Sequence, residues 1–237
     1  VGIGKNTVLL TMPDKPVWDV IDYLRCFHRT DNGNYSYRVV LNVDQPKTGS
    51  RAIIADDYGN TIIGSIEVAS ATVGHTWFTF METNKTSGAS VIRSLGFFPR
   101  EDVNPYLRES SKGVLSNDEG RNVDVRLVFD VNAISFYQLL NSCSTGNTER
   151  YDIYTNNCTG WAIDKLRNCF QISLPVNKDQ YFVGTAGGPT PANLGEDLRT
   201  FDLSRIHNSP HILNVNRILQ SVESSYNRGN CPKLPPQ

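Results

Sequence analysis

Three things are scarce in this chain, and each scarcity removes a class of function. Charge of one sign is missing: 23 Lys and Arg stand against 24 Asp and Glu, a formal net charge of -1. No basic cluster gathers, so the electrostatic footprint that nucleic acid or an anionic membrane surface requires is absent. Long apolar runs are missing too; none reaches the roughly 18 residues that span a bilayer. Histidine is sparse, with four residues, His28, His75, His207 and His211. The last two are spaced four apart but across Pro210, a poor helical metal pair, and neither a metal nor a cofactor is expected. Charged residues make up 20% of the chain, below the usual quarter, while Asn, Ser, Thr and Gly are plentiful, a balance that suits an exported protein. Val1 to Lys5 lacks the apolar core of a signal peptide, so a mature, extracytoplasmic form is the expectation.

Cysteine is present in an odd number: Cys26, Cys143, Cys158, Cys169 and Cys231. In an oxidising compartment, two bridges among the other four leave Cys158 as the free thiol, with the pairing open.

Residues 1–34 read as a helical extension, with Val17, Val20, Ile21 and Leu24 forming a helical stripe and Asp14 as its cap. His28 falls in the polar exit from that helix, a surface position. Strands are predicted at Tyr35 to Val43, Gly74 to Met81, Val91 to Phe98 and Asn122 to Phe129, the middle two joined as a hairpin. The apolar runs Ala52 to Ala55 and Thr61 to Ile66 suggest further strands or irregular core. Residues 100–121 are polar, carry Pro105, and read as a mobile surface excursion. A helix opens at Asp130 to Ala133. After Cys169 come a breaker-rich loop around Gly184, a turn or two at Asn193 to Leu198, a helix at Ile212 to Val222 and a Pro-rich tail.

The chemistry centres on Cys158. The polar cluster Thr155-Asn156-Asn157 leads directly into it, and Trp161, Ala162, Ile163 and Leu166 follow at helical spacing, so Cys158 falls in the first turn of a capped helix. Free N–H groups and the positive end of the helix dipole stabilise a thiolate there. A packing cysteine or half of a disulfide is the bland alternative. A cysteine nucleophile needs a base, usually an imidazole. His75 opens an apolar strand directly after Gly74 and is held rigidly, whereas His207 and His211 sit in a loop with little to position them; His75 is favoured.

Asn157-Cys158-Thr159-Gly160-Trp161-Ala162, followed by Ile172-Ser173-Leu174-Pro175 and Gly184-Thr185, resembles the nucleophile helix and following loop of the NlpC/P60 cysteine peptidases, which share the papain-like fold. Here Gly74-His75-Thr76-Trp77-Phe78-Thr79-Phe80 precedes the cysteine, the order of the circularly permuted branch that includes lecithin:retinol acyltransferase-like proteins. The likeness covers about Tyr35 to Pro175. It implies an α+β papain-like domain over 35–180, an antiparallel sheet packed on the nucleophile helix, with 181–237 as a C-terminal loop and helix extension. It implies Cys158 as nucleophile and His75 as general base. The family's third polar residue lies on the strand after the histidine, which makes Ser94 the candidate, with Arg93 in its place if the hairpin register shifts by one. Asn157 stands where many members have aspartate. The expected activity is that of a thiol amidase or peptidase on a peptide or cell-wall substrate, with peptidoglycan stem peptides implied. The alternatives are a lipid-directed thiol acyltransferase of the same permuted fold, and a binding or structural module in which Cys158 and His75 never meet. No nucleic-acid partner and no membrane span are expected; the oligomeric state is open.

Overall fold

The computed structural model describes residues 10–28, 33–56, 71–104, 109–178, 187–206, 209–219 and 222–229. Its elements in chain order are α1 (Val20–Leu24), β1 (Tyr35–Asp44), β2 (Ala55–Asp56), β3 (Ala71–Thr72), β4 (His75–Asn84), β5 (Ser90–Pro99), β6 (Ser110–Ser116), β7 (Asn122–Val123), β8 (Val125–Val131), α2 (Ala133–Cys143), β9 (Arg150–Asp152), α3 (Cys158–Phe170), α4 (Pro191–Thr200), β10 (Ile212–Ile218) and β11 (Val222–Glu223). The architecture is α+β. Seven strands form one sheet in the order β10-β8-β1-β4-β5-β6-β9, and every pairing in it is antiparallel.

The alternation of β1 and β4 explains which face the helices cover. Leu41 pairs with Phe78 and Val39 with Phe80, and all four are fully buried, because residues directly opposite in an antiparallel pair share a face. Trp161 of α3 lies on that face, its ring centroid 5.8 Å from Phe78 and 5.3 Å from Phe97. Completely burying side chains of this size contributes about 1.5–3 kcal/mol each. That anchoring fixes where the first turn of α3 lies over the sheet.

Several expectations are revised. Residues 100–121 are more than a surface excursion: Ser110–Ser116 is β6, paired with β5 on one side and β9 on the other. Pro105 lies outside the described residues. Ile212–Ile218 is a strand, not a helix; the β-branched and Asn-rich run Val215-Asn216 disfavours a helix, and β8 offers a free edge with which it pairs. The strand predicted at Asn122 to Phe129 is broken at Asp124, whose carboxylate accepts from the Gln45 backbone and the Thr48 hydroxyl. Helix α1 is shorter than its stripe suggested and is capped by Asp19, not Asp14; Ile21 points to solvent. Because β10 completes the large sheet and Val20, Leu24, Leu194 and Val215 enter one core cluster with β1 and β4, the N- and C-terminal segments are continuous with the central unit. The run Thr61 to Ile66 lies outside the described residues.

Candidate functional site

Asn157 builds the start of α3. Its side-chain oxygen accepts from Thr159 and Gly160 N–H at 3.0 and 2.9 Å, while its amide donates to the carbonyls of Ile153 and Pro189 at 2.8 and 2.7 Å. A cap of this kind is worth about 1 kcal/mol. Cys158 is thereby the first helical residue, placed at the positive end of a three-turn helix. A hydroxyl pair, Thr76 with Thr159 at 2.9 Å, ties this turn to the beginning of β4.

His75 opens β4 beside it. The imidazole is 4% exposed and lies between Trp77, at 5.5 Å and nearly parallel, and Phe98, at 4.2 Å. Its Nε2 faces Asp118 Oδ2 at 3.1 Å, which leaves Nδ1 for the proton of Cys158. His75 and Cys158 are close enough for each to act on the ionisation of the other. Asp118 is itself buried, paired with Arg121 at 2.9 Å, and reached by the Ser116 hydroxyl at 3.4 Å.

Burial alone would lower the pKa of His75; the charges of Asp118 and Cys158 and the hydrogen bonds to both outweigh it, and the imidazole is pushed up from 6.5 to about 9. For Cys158 the signs reverse. Burial raises the thiol, but the His75 charge and hydrogen bond, the Thr76 backbone and the Thr159 hydroxyl bring it below its ordinary value. Each group favours the charged form of the other: the imidazolium stabilises a thiolate, and the thiolate an imidazolium. Asp44, directly opposite His75 on β1, is pushed up to about 6 by burial and by Asp124, so it adds little negative charge in mildly acidic solution.

Of the residues singled out from sequence, Cys158 and His75 come together and the others do not join them. The Ser94 hydroxyl is bonded to that of Thr79 at 2.9 Å, and the group on His75 Nε2 is Asp118. Arg93 donates to Cys26 Sγ and to the carbonyls of Ile92, Arg228 and Gly229. His28 stacks on Tyr35 at 4.5 Å and bonds to Glu82, near the opposite end of β4. His211 pairs with Ser135 at 3.1 Å, and His207 lies outside the described residues. Cys26 is disulfide-bonded, but Cys143, Cys158 and Cys169 are all free, so two bridges sparing only Cys158 do not form. Among the described residues no group of three His, Cys, Asp or Glu is placed to hold a metal ion, and no helix is long and apolar enough to cross a membrane.

Gly96 is the residue that permits the dyad. It lies on β5 opposite Trp77 of β4, and a Cβ there would overlap Asp118 Oδ2 and lie 2.5 Å from His75 Nε2. An isolated glycine within a strand marks a close approach of this sort.

A cavity of about 620 Å³ around Tyr35, Arg38 and Lys85 lies at the far end of β1 and β4, about 25 Å from His75 by strand rise. It contains none of the reactive groups. The cavity that touches Cys158 is a slot of about 30 Å³, and the chemistry, not the size, identifies the site.

Comparison with known proteins gives no match: no family model fits the chain, and no curated protein and no solved structure is similar to it.

Proposed function

We propose that the chain is a Cys-His-Asp thiol hydrolase of amide or peptide bonds, in a permuted papain-like arrangement. The observation that carries this reading is the set Cys158, His75 and Asp118, with the cysteine at a helix N-terminus and the histidine oriented by a buried carboxylate. It is the arrangement that nucleophile, base and orienting group require.

The Cys158 thiolate attacks the amide carbonyl carbon and forms a C–S bond. The Cys158 backbone N–H points to the developing oxyanion, as first-turn N–H groups of a helix do. Protonated His75 gives its proton to the amide nitrogen, the C–N bond breaks and the amine leaves. Neutral His75 then takes a proton from water, whose oxygen attacks the thioester; the thiolate departs and the acid is released. Asp118 holds the Nε2 proton through both steps, which keeps Nδ1 toward sulfur.

The order of His75 before Cys158, and the helix that Asn157 caps, support the likeness to the permuted NlpC/P60-like branch, with cell-wall stem peptides as the substrate it implies. The Cys26 disulfide favours an extracytoplasmic location.

The test is hydrolysis of peptide amides and of cell-wall muropeptides by the wild type and Cys158→Ala. Wild type cleaves, and Cys158→Ala loses activity by on the order of a thousandfold or more with an unchanged circular dichroism spectrum. Retention of full activity in Cys158→Ala overturns the assignment.

A further inference from the structure

We propose that the slot beside Cys158 selects amides whose acyl-side residue carries a short, uncharged apolar side chain, of alanine to valine size. The proposal rests on the hydrolase reading and names the substrate class for it. Leu10, Ile53, Ile54, Val73, Ile153 and Pro191 form the walls, and Cys158 is part of the lining. A substrate with its carbonyl at the sulfur places the neighbouring side chain there.

Size and polarity set the class. At about 30 Å³ the slot is roughly twice the smallest space that admits one water. Two or three carbon atoms fill it, and it has no depth for a fatty acyl chain. Among the described residues no charged side chain lines it. Of the polar residues in its wall, Thr190 accepts from Asn193 N–H at 3.0 Å through its hydroxyl, the Asn157 side chain caps α3 while holding two carbonyls, and the Tyr151 ring lies against Phe97 at 5.5 Å. A carboxylate or ammonium entering the slot would lose its water and, Cys158 apart, meet no ionic side chain among the described walls.

The experiment uses the full chain and acetyl-aminoacyl chloromethyl ketones with alanine, valine, glutamate, lysine and phenylalanine side chains, together with a decanoyl chloromethyl ketone. Second-order inactivation rates are divided by the iodoacetamide rate of the same protein. The alanine and valine reagents are expected to exceed the glutamate, lysine and decanoyl reagents by about tenfold or more, the range a hydrophobic pocket supplies. Equal or faster reaction of the charged or decanoyl reagents overturns the slot. Slow iodoacetamide alkylation at pH 7, no faster than a free thiol peptide, overturns the hydrolase reading instead. Two variants separate pocket from fold. Val73→Lys, at a half-buried wall position, is expected to shift the ranking toward glutamate by about tenfold. Ile53→Ala, which opens the wall, is expected to raise the relative rate of the phenylalanine reagent. A ranking unmoved by both variants overturns the proposal.

Discussion

At the scale of the residue, the site depends on a side chain that is absent. His75 Nε2 and Asp118 Oδ2 meet directly over Gly96, where a Cβ would overlap the carboxylate. Gly96→Ala must push Asp118 aside, so the catalytic rate is expected to fall at least about tenfold while the far-ultraviolet circular dichroism spectrum stays that of the wild type; an unimpaired Gly96→Ala enzyme shows the dyad to be dispensable. Asp118→Asn tests the electrostatics. In the wild type, His75 binds its proton more tightly folded than unfolded. Its contribution to stability is therefore fully present below about pH 6.5 and lost as pH rises through about 9. Removing the carboxylate charge lowers the folded value. The upper limb of the alkylation rate and of the melting temperature against pH is expected to move to lower pH, and coincident wild-type and Asp118→Asn profiles refute that coupling. Cys158 and His75 are legible in sequence because their signals are local: a capping residue before a helix, a glycine before an apolar strand. Asp118 is not. Its place follows from the register that sets Gly96 against Ser116, and short-range periodicity carries no register. The one local trace is Gly96 itself, an interruption in the apolar run from Leu95 to Phe98.

At the scale of the element, Asp118 belongs to the turn after β6, and a segment distant in sequence steadies that turn. Within residues 222–229, Val222–Glu223 pairs with β7 and the end of the segment reaches the half of β5 that β6 leaves unpaired, with Ile92 and Arg228 exchanging backbone hydrogen bonds at 3.0 and 3.2 Å. The Ser224 hydroxyl donates to the Asp118 carbonyl at 3.1 Å. Asn227 takes part four times: its N–H donates to Glu119, its amide to Asn117 and to the Tyr23 hydroxyl, and its oxygen accepts from Ser94 N–H. Asn227→Ala leaves several of these groups without partners, and each costs about 1–3 kcal/mol where buried. The urea midpoint is expected to fall, and the rate constant kcat to fall more than KM rises, because Asp118 loses its support while the slot is untouched. An effect confined to KM contradicts a positioning role. Long-range pairing also decides the stretch expected as a helix at Ile212 to Val222: apolar residues spaced three apart, Ile212 and Val215, fit a helical stripe, and only the neighbour β8, reached across the fold, makes Ile212–Ile218 a strand. Propensity is a weak prior wherever a free sheet edge waits.

At the scale of the whole molecule, the sheet draws on both ends of the described chain. The polar stretch 100–121 supplies an interior strand, the C-terminal segment supplies an edge, and α1 packs into the common core, so the described parts of the N- and C-terminal extensions share one body with the central strands. That body also sorts its cysteines. Cys143 is fully buried among apolar neighbours and Cys169 nearly so, and burial pushes both thiols up; Cys158, equally enclosed, is drawn down by His75. Burial alone therefore does not predict reactivity here, and charge does. Brief treatment of the unreduced native protein with iodoacetamide at pH 7 is expected to alkylate the peptide containing Cys158 and spare those containing Cys143 and Cys169. After unfolding in urea without reductant, all three become alkylated and the peptide containing Cys26 does not. Equal labelling of Cys158 and Cys143 in the native state would mean that access, not the imidazolium, governs these thiols, and the thiolate beside His75 would lose its support.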